Sequence, residues 1–257
     1  MLRRLATLGA AVGALLVASP ASAQEAAKFG DQGQLIFGAD RLFGLFAYTS
    51  NSINAQGNNL TVNGTSMGLF GGLNSVGVGN SATGAYLVGN STFYNVPRLG
   101  FDYTIIPNLT IGGEAIAWFT LGGGSSLNNA PGQVPGGNVF GIAPRVGYIF
   151  NLSDVFAIWP RGGLSYYDAN YSLQSVQYNR CNTTANANLF GLDIDPVVTI
   201  SPASHFAFQA GPSLDWGFTG GASTSSPLSG DCSRTTNFSA NYTAVNFAIN
   251  AGLLGWF

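Results

Sequence analysis

The sequence predicts an all-β protein, a closed antiparallel transmembrane β-barrel of eight strands with up-and-down topology. Three observations lead there. Only 8% of the 257 residues are charged, while 46% are hydrophobic and 36 are Gly. An average soluble domain carries about 25% charge, so this chain cannot clothe a conventional hydrated surface. Its N-terminus has the pattern of an export signal, yet no later stretch approaches the length of an apolar membrane helix. Finally, bulky apolar residues alternate with small or polar ones over segments of roughly ten residues. That is the signature of strands with one face in lipid and one in a narrow lumen.

Residues 1–23 read as a secretory signal peptide. Arg3 and Arg4 form the basic region, Leu5 to Ala18 the apolar core, and Ala21-Ser22-Ala23 the small-x-small cleavage pattern. Residues 24–33 are expected to be a short periplasmic segment, and 34–257 the barrel. The first strand is expected over Gln34–Thr49. It poses a conflict, because Asp40 and Arg41 fall on opposite faces unless a bulge intervenes.

Six further strands follow, at Phe93–Ile105, Leu109–Thr120, Asn138–Phe150, Val155–Tyr167, Leu189–Ile200 and Phe206–Phe218. Phe206, Phe208, Ala210, Pro212, Leu214, Trp216 and Phe218 form one face of the last, against Ala207, Gln209, Gly211, Ser213, Asp215 and Gly217. Across the six, every charge lies opposite the bulky face: Arg98, Asp102, Glu114, Arg145, Arg161, Asp193, Asp195 and Asp215. A soluble sandwich would also alternate, but with a charged face turned to water; here that face is mostly Gly, Ala and Ser with one or two charges, which suits a narrow interior. Asn241–Phe257 completes eight strands.

Short connections (106–108, 151–154, 201–204) alternate with long ones (50–91, 121–137, 168–186, 219–238), as short periplasmic turns alternate with long outer loops. A hairpin within 50–91, built from Met67–Phe70 and Tyr86–Val88, would raise the count to ten. The Gly/Asn/Ser-rich composition there argues for a loop. Five prolines (Pro97, Pro144, Pro160, Pro196, Pro212) fall on the lipid-facing parity, where each removes a ladder donor; local bulges are the expected remedy.

The chain ends Val245-Asn-Phe-Ala-Ile-Asn-Ala-Gly-Leu-Leu-Gly-Trp-Phe257. This resembles the β-signal read by the outer-membrane barrel assembly machinery, with Gly252, Trp256 and Phe257 at the matching positions and Gly255 departing from the apolar pattern. The runs Val96–Tyr103, Ala143–Tyr148 and Ile158–Tyr167 resemble small OmpA-like outer-membrane β-barrel proteins, notably a myxobacterial group. The resemblance implies fold and location, and little chemistry.

Cys181 and Cys232 lie in the third and fourth long loops, which are neighbours in a barrel. An exported chain with two such Cys suggests a disulfide, worth about 4 kcal/mol by loop entropy, against two free thiols. The eight inward charges should pair across a lumen only wide enough for side chains, and so plug it; the competing reading is a polar conduit or gate. His205 is the sole histidine, beside a short turn and eight and ten residues from Ser213 and Asp215, so no hydrolase triad is expected. One His and two separated Cys give no metal spacing, and the glycines follow no nucleotide-binding pattern.

The expected protein is therefore a monomeric outer-membrane barrel of a Gram-negative bacterium, without enzymatic activity or cofactor. Its partners would be outer-membrane lipid, the assembly machinery and any extracellular ligand of the long loops. A net charge of −2 gives no case for nucleic acid. A structural or surface-interaction role is expected, with a narrow channel for small or apolar solutes as the alternative.

Overall fold

The computed structural model describes residues 28–55, 58–67, 76–81, 84–89, 94, 96–120, 123–127, 130–134, 136–174, 182–228 and 231–257. Fourteen strands lie among them: β1 (Leu35–Ala55), β2 (Asn58–Met67), β3 (Val76–Ser81), β4 (Gly84–Gly89), β5 (Arg98–Ile106), β6 (Leu109–Thr120), β7 (Gly123–Leu127), β8 (Ala130–Val134), β9 (Gly136–Tyr148), β10 (Phe150–Asn151), β11 (Phe156–Gln174), β12 (Asn182–Ala203), β13 (Phe206–Leu228) and β14 (Asp231–Trp256). Eight form a closed antiparallel ring in the order β1, β5, β6, β9, β11, β12, β13, β14, with β14 returning to β1. Short β10 prolongs β9 along β11. Closure leaves the barrel wall no free edge, so where the strands overlap each has a neighbour on both sides.

The barrel wall has eight strands, not ten. A hairpin does form within 50–91, but β3 pairs only with β4, apart from the barrel sheet, and β2 pairs with β1. Three expected outer loops are largely strand. β11 runs on to Gln174, β12 begins at Asn182, and β13 and β14 are joined as far as Leu228 and Asp231. Within 121–137, β7 and β8 form a separate hairpin. Asn-, Ser- and Thr-rich composition suggested loops. Here the ladder of an already paired hairpin continues beyond the greasy segment, because each added pair satisfies two backbone groups at little cost in chain entropy.

Parity holds along the wall. Leu99, Phe101 and Tyr103 of β5, Ile142 and Val146 of β9, and Phe208, Leu214, Trp216 and Phe218 of β13 are exposed, whereas the residues of opposite parity between them are buried or half-buried. Parity also shifts high on β13, between Gly217 and Gly221, after which Thr224 is buried; the larger exception is β1, which changes parity midway. Its pairing advances from Ala39 to Phe43 while β14 moves only from Leu253 to Ala251, and a second shift follows between Gly44 and Phe46. Arg41 sits in the bulge with φ +55°. Asp40, the last inward residue of one parity, and Arg41, the first of the other, are therefore both buried.

The prolines are not housed in bulges. Pro160 faces Pro196 in uninterrupted register. The β12–β13 pairing holds the same register on either side of 195–197, where paired residues are missing opposite Gly211–Ser213. A missing N–H removes a bond from the ladder without adding a residue, so the strand need not bulge. Pro97 precedes β5 rather than lying in it.

Candidate functional site

The interior is filled in three layers. The floor, at the short-turn end, is apolar. Ile36, Ile149, Ala157, Trp159, Ala207, Leu254 and Trp256 close around Phe29, whose ring lies 5.6 Å from Trp159 and 5.0 Å from Trp256. Phe29 belongs to no strand. Residues 28–34 fold into the mouth, where Asn151 Nδ2 donates to the Phe29 carbonyl (2.9 Å), Asn108 N–H to that of Gly30 (2.8 Å), and Gly33 N–H to that of Thr104 (2.8 Å). Gly30 has φ +97°, and a Cβ there would stand 2.8 Å from Asn108 Oδ1, so the tuck requires glycine.

The outer layer is also mainly apolar. Ile53, Ile116, Val139, Tyr167, Leu189 and Tyr242 pack with Tyr94 and Val96, which lie ahead of β5 and dip inward. Tyr94 meets Tyr167 edge to face at 5.5 Å. A Cβ at Gly217 would come within 2.6 Å of the Tyr94 hydroxyl, so that glycine makes room for the inserted ring.

Between the two apolar layers lies a belt of charge. All eight predicted inward charges are there and buried, joined by Asp40 and Arg41. They form a ring in which guanidinium and carboxylate alternate. Arg41 contacts Asp195 at 3.0 Å, and Asp195 contacts Arg161 at 3.9 Å. Arg161 reaches Asp40 at 3.3 Å, which binds Arg145 at 2.8 Å. Arg145 pairs with Glu114, Glu114 with Arg98 at 2.6 Å, Arg98 with Asp193, and Asp193 closes on Arg41 at 3.1 Å. Two carboxylates hang on this ring: Asp102 on Arg145, and Asp215 bridging Arg41 (2.8 Å) and Arg98 (3.1 Å).

Neutral groups complete the shell. Arg98 donates to Tyr167 Oη at 2.7 Å and Arg41 to the Tyr94 carbonyl at 2.8 Å. Asn246 Nδ2 donates to Asp215 at 2.9 Å, and Gln209 Nε2 donates to Asp40. Arg161 lies over the Trp159 ring at 4.6 Å. Each buried charge thus has oppositely charged partners, the condition for leaving it in a low-dielectric interior. The strands explain the gathering: Arg161 and Asp195 are directly cross-strand, as are Asp193 and Asp215.

Composition missed the contributions of Gln209, Asn246 and Asn250, because lone amides on an inner face carry no pattern. Asp40 and Arg41 left a signal, the parity conflict itself. His205 adopts φ +69° at the β12–β13 turn, its Nδ1 2.9 Å from the Trp256 carbonyl and its ring stacked on Phe257. Asp215 and Ser213 are engaged elsewhere, with Arg41 and with Asn250, so the three residues form no triad. Gly252 and Trp256 face inward and Phe257 is exposed. Cys181, like residues 1–27, lies outside the described residues, and so does the expected disulfide with Cys232.

No protein-family model and no curated protein matches this chain. Among solved structures it is similar to a major outer membrane protein of Thermus thermophilus, at 11% identity and TM-score 0.47, over 82% of this chain and 98% of that one. It is similar to the outer membrane protein OprG of Pseudomonas aeruginosa, at 11% identity and TM-score 0.45, over 88% and 97%. It is also similar to the outer membrane protease OmpT of Escherichia coli, at 8% identity and TM-score 0.37, over 92% and 100%.

Proposed function

We propose that the protein is an integral outer-membrane β-barrel of a Gram-negative bacterium that serves as a closed, lipid-embedded base for a polar rim on the cell surface. The observation that carries the reading is the lumen, blocked by an apolar floor, an ionic belt and an apolar cap. Two rings of exposed aromatics support the location. Tyr148, Phe150, Phe156, Phe206 and Phe208 lie near the short turns, and Phe119, Phe140, Tyr166, Phe190 and Trp216 lie higher. Aliphatic residues such as Ile111, Ile142, Leu164, Ile194 and Leu214 are exposed between them. The rings are separated by roughly ten residues of strand, the span of a tilted crossing. Among the described strand residues between the two rings, no charged side chain faces outward; Asp168, of outward parity and half-buried, lies opposite Phe140 at the upper ring.

Beyond the upper ring the strands continue with exposed Asn, Ser and Thr, among them Asn186, Asn188, Ser239, Asn241 and Thr243. This rim would meet any extracellular partner. The surface role, the monomeric state, recognition of Gly252, Trp256 and Phe257 by the assembly machinery, the Cys181–Cys232 disulfide and the OmpA-like kinship all belong to this proposal. Folded protein in planar bilayers should show no stable conductance, and liposomes containing it no solute flux. Reproducible conductance or flux would favour the narrow-channel reading instead.

A further inference from the structure

We propose that the widest joint of the ionic ring is a binding site for one divalent, oxygen-seeking cation of calcium's class, held by Asp195 with Gln209, Ser213 and Asn250. The charge balance of the belt calls for a cation. Among the described residues the belt holds the carboxylates of Asp40, Asp102, Glu114, Asp193, Asp195 and Asp215 against the guanidiniums of Arg41, Arg98, Arg145 and Arg161. With all six carboxylates ionised, that is an excess of two negative charges in a closed interior, where uncompensated charge is costly.

Space and free acceptors coincide at this joint. The Asp195–Arg161 contact, at 3.9 Å, is the longest in the ring and too long for a hydrogen bond. A small cavity with room for about one water-sized group opens there, lined by Asp195, Gln209, Ser213 and Asn250 among others. Gln209 and Asn250 are only 4% and 7% exposed, and their carbonyl oxygens, Oε1 and Oδ1, are buried without a hydrogen-bond partner. Their nitrogens are committed, Gln209 Nε2 to Asp40 and Asn250 Nδ2 to Ser213 Oγ at 2.9 Å. The amides are therefore held with nitrogen on a partner and oxygen free, an arrangement that wants a donor or a cation.

More carboxylate stands on the other side of Asp195. There Asp193 and Glu114 each bring a carboxylate oxygen within 4.8 Å of it, around a smaller adjoining space. Carboxylate, amide and hydroxyl oxygens are hard donors, suited to calcium and adaptable in geometry. Arg41 and Arg161 also line the cavity; their charges are already counted in the excess, and a divalent ion brings the belt to neutrality. His and Cys spacing, the usual mark of a metal in a sequence, cannot reveal an all-oxygen site assembled from separate strands.

The test is refolding into detergent with calcium or with chelator, removal of free ion by gel filtration, and elemental analysis with urea unfolding. The calcium-refolded protein should retain about one ion per chain and unfold at higher urea than the chelator-refolded protein. Magnesium and sodium should reproduce neither effect. Gln209→Leu and Asn250→Leu should fold and lose the retained calcium, and Asp195→Asn should do the same. Wild-type protein that folds in calcium yet retains no ion and unfolds at the same urea as the chelator-refolded protein would overturn the proposal. So would equal retention in the leucine variants, or equal stabilisation by sodium. Should the variants not fold, the wild-type comparison decides. None of these readouts depends on conductance, so a failed surface role and a failed cation site are distinguishable.

Discussion

Arg98 and Arg161 occupy the same ionic ring under different conditions. Arg98 is 1% exposed and bonds Glu114, Asp193, Asp215 and the Tyr167 hydroxyl. Arg161 is also buried, yet its hydrogen bonds reach only Asp40, at 3.3 and 3.4 Å; the Nε of both residues lacks a partner. The difference follows the layers. Arg98 lies under the apolar cap and donates to Tyr167 within it, and both its terminal nitrogens are taken up by acceptors of the protein. Arg161 lies over Trp159 of the floor and beside a cavity. One ring can therefore be rigid on one side and adaptable on the other.

The largest expected effect breaks the rigid side. Arg98→Met leaves Glu114, Asp193 and Asp215 short of a partner in a dry interior, and should lower stability by about 3–5 kcal/mol in urea unfolding monitored by tryptophan fluorescence. Phe29→Ala tests whether the floor keeps the loose side enclosed. It should cost about 3 kcal/mol and make Trp159 and Trp256 more accessible to an aqueous quencher. The smallest effect is expected at Arg161→Met, about 1–2 kcal/mol, because few good hydrogen bonds are lost and the excess charge rises beside a cavity that can admit water. Equal losses for Arg98→Met and Arg161→Met would show that the two sides do not differ, whatever their geometry.

The wall was more legible than its contents. Alternation in Phe206–Phe218 or Asn138–Phe150 reports which side faces lipid because side-chain direction along a strand has a period of two. The same rule placed all eight inward charges. At Asp40-Arg41 it gave only a conflict that a bulge would resolve, and the bulge found there, with one left-handed residue, leaves no mark of its own in composition. It failed for the outer hairpins. Asn, Ser and Thr are ambiguous between loop and strand, and pairing was decided by the partner strand rather than by the residues themselves.

By itself the sequence determined the barrel and the inward direction of its charges. Both follow from local periodicity and from a composition too poor in charge for water. Only the tertiary structure decided which carboxylate meets which guanidinium. Only it shows that Phe29 and Tyr94, from outside the strands, close the two ends of the lumen, and that one joint stays wide. Those outcomes depend on the relative height of strands around a closed ring and on bulges in β1, which couple residues far apart in the chain. Alternation within one strand carries no information about either.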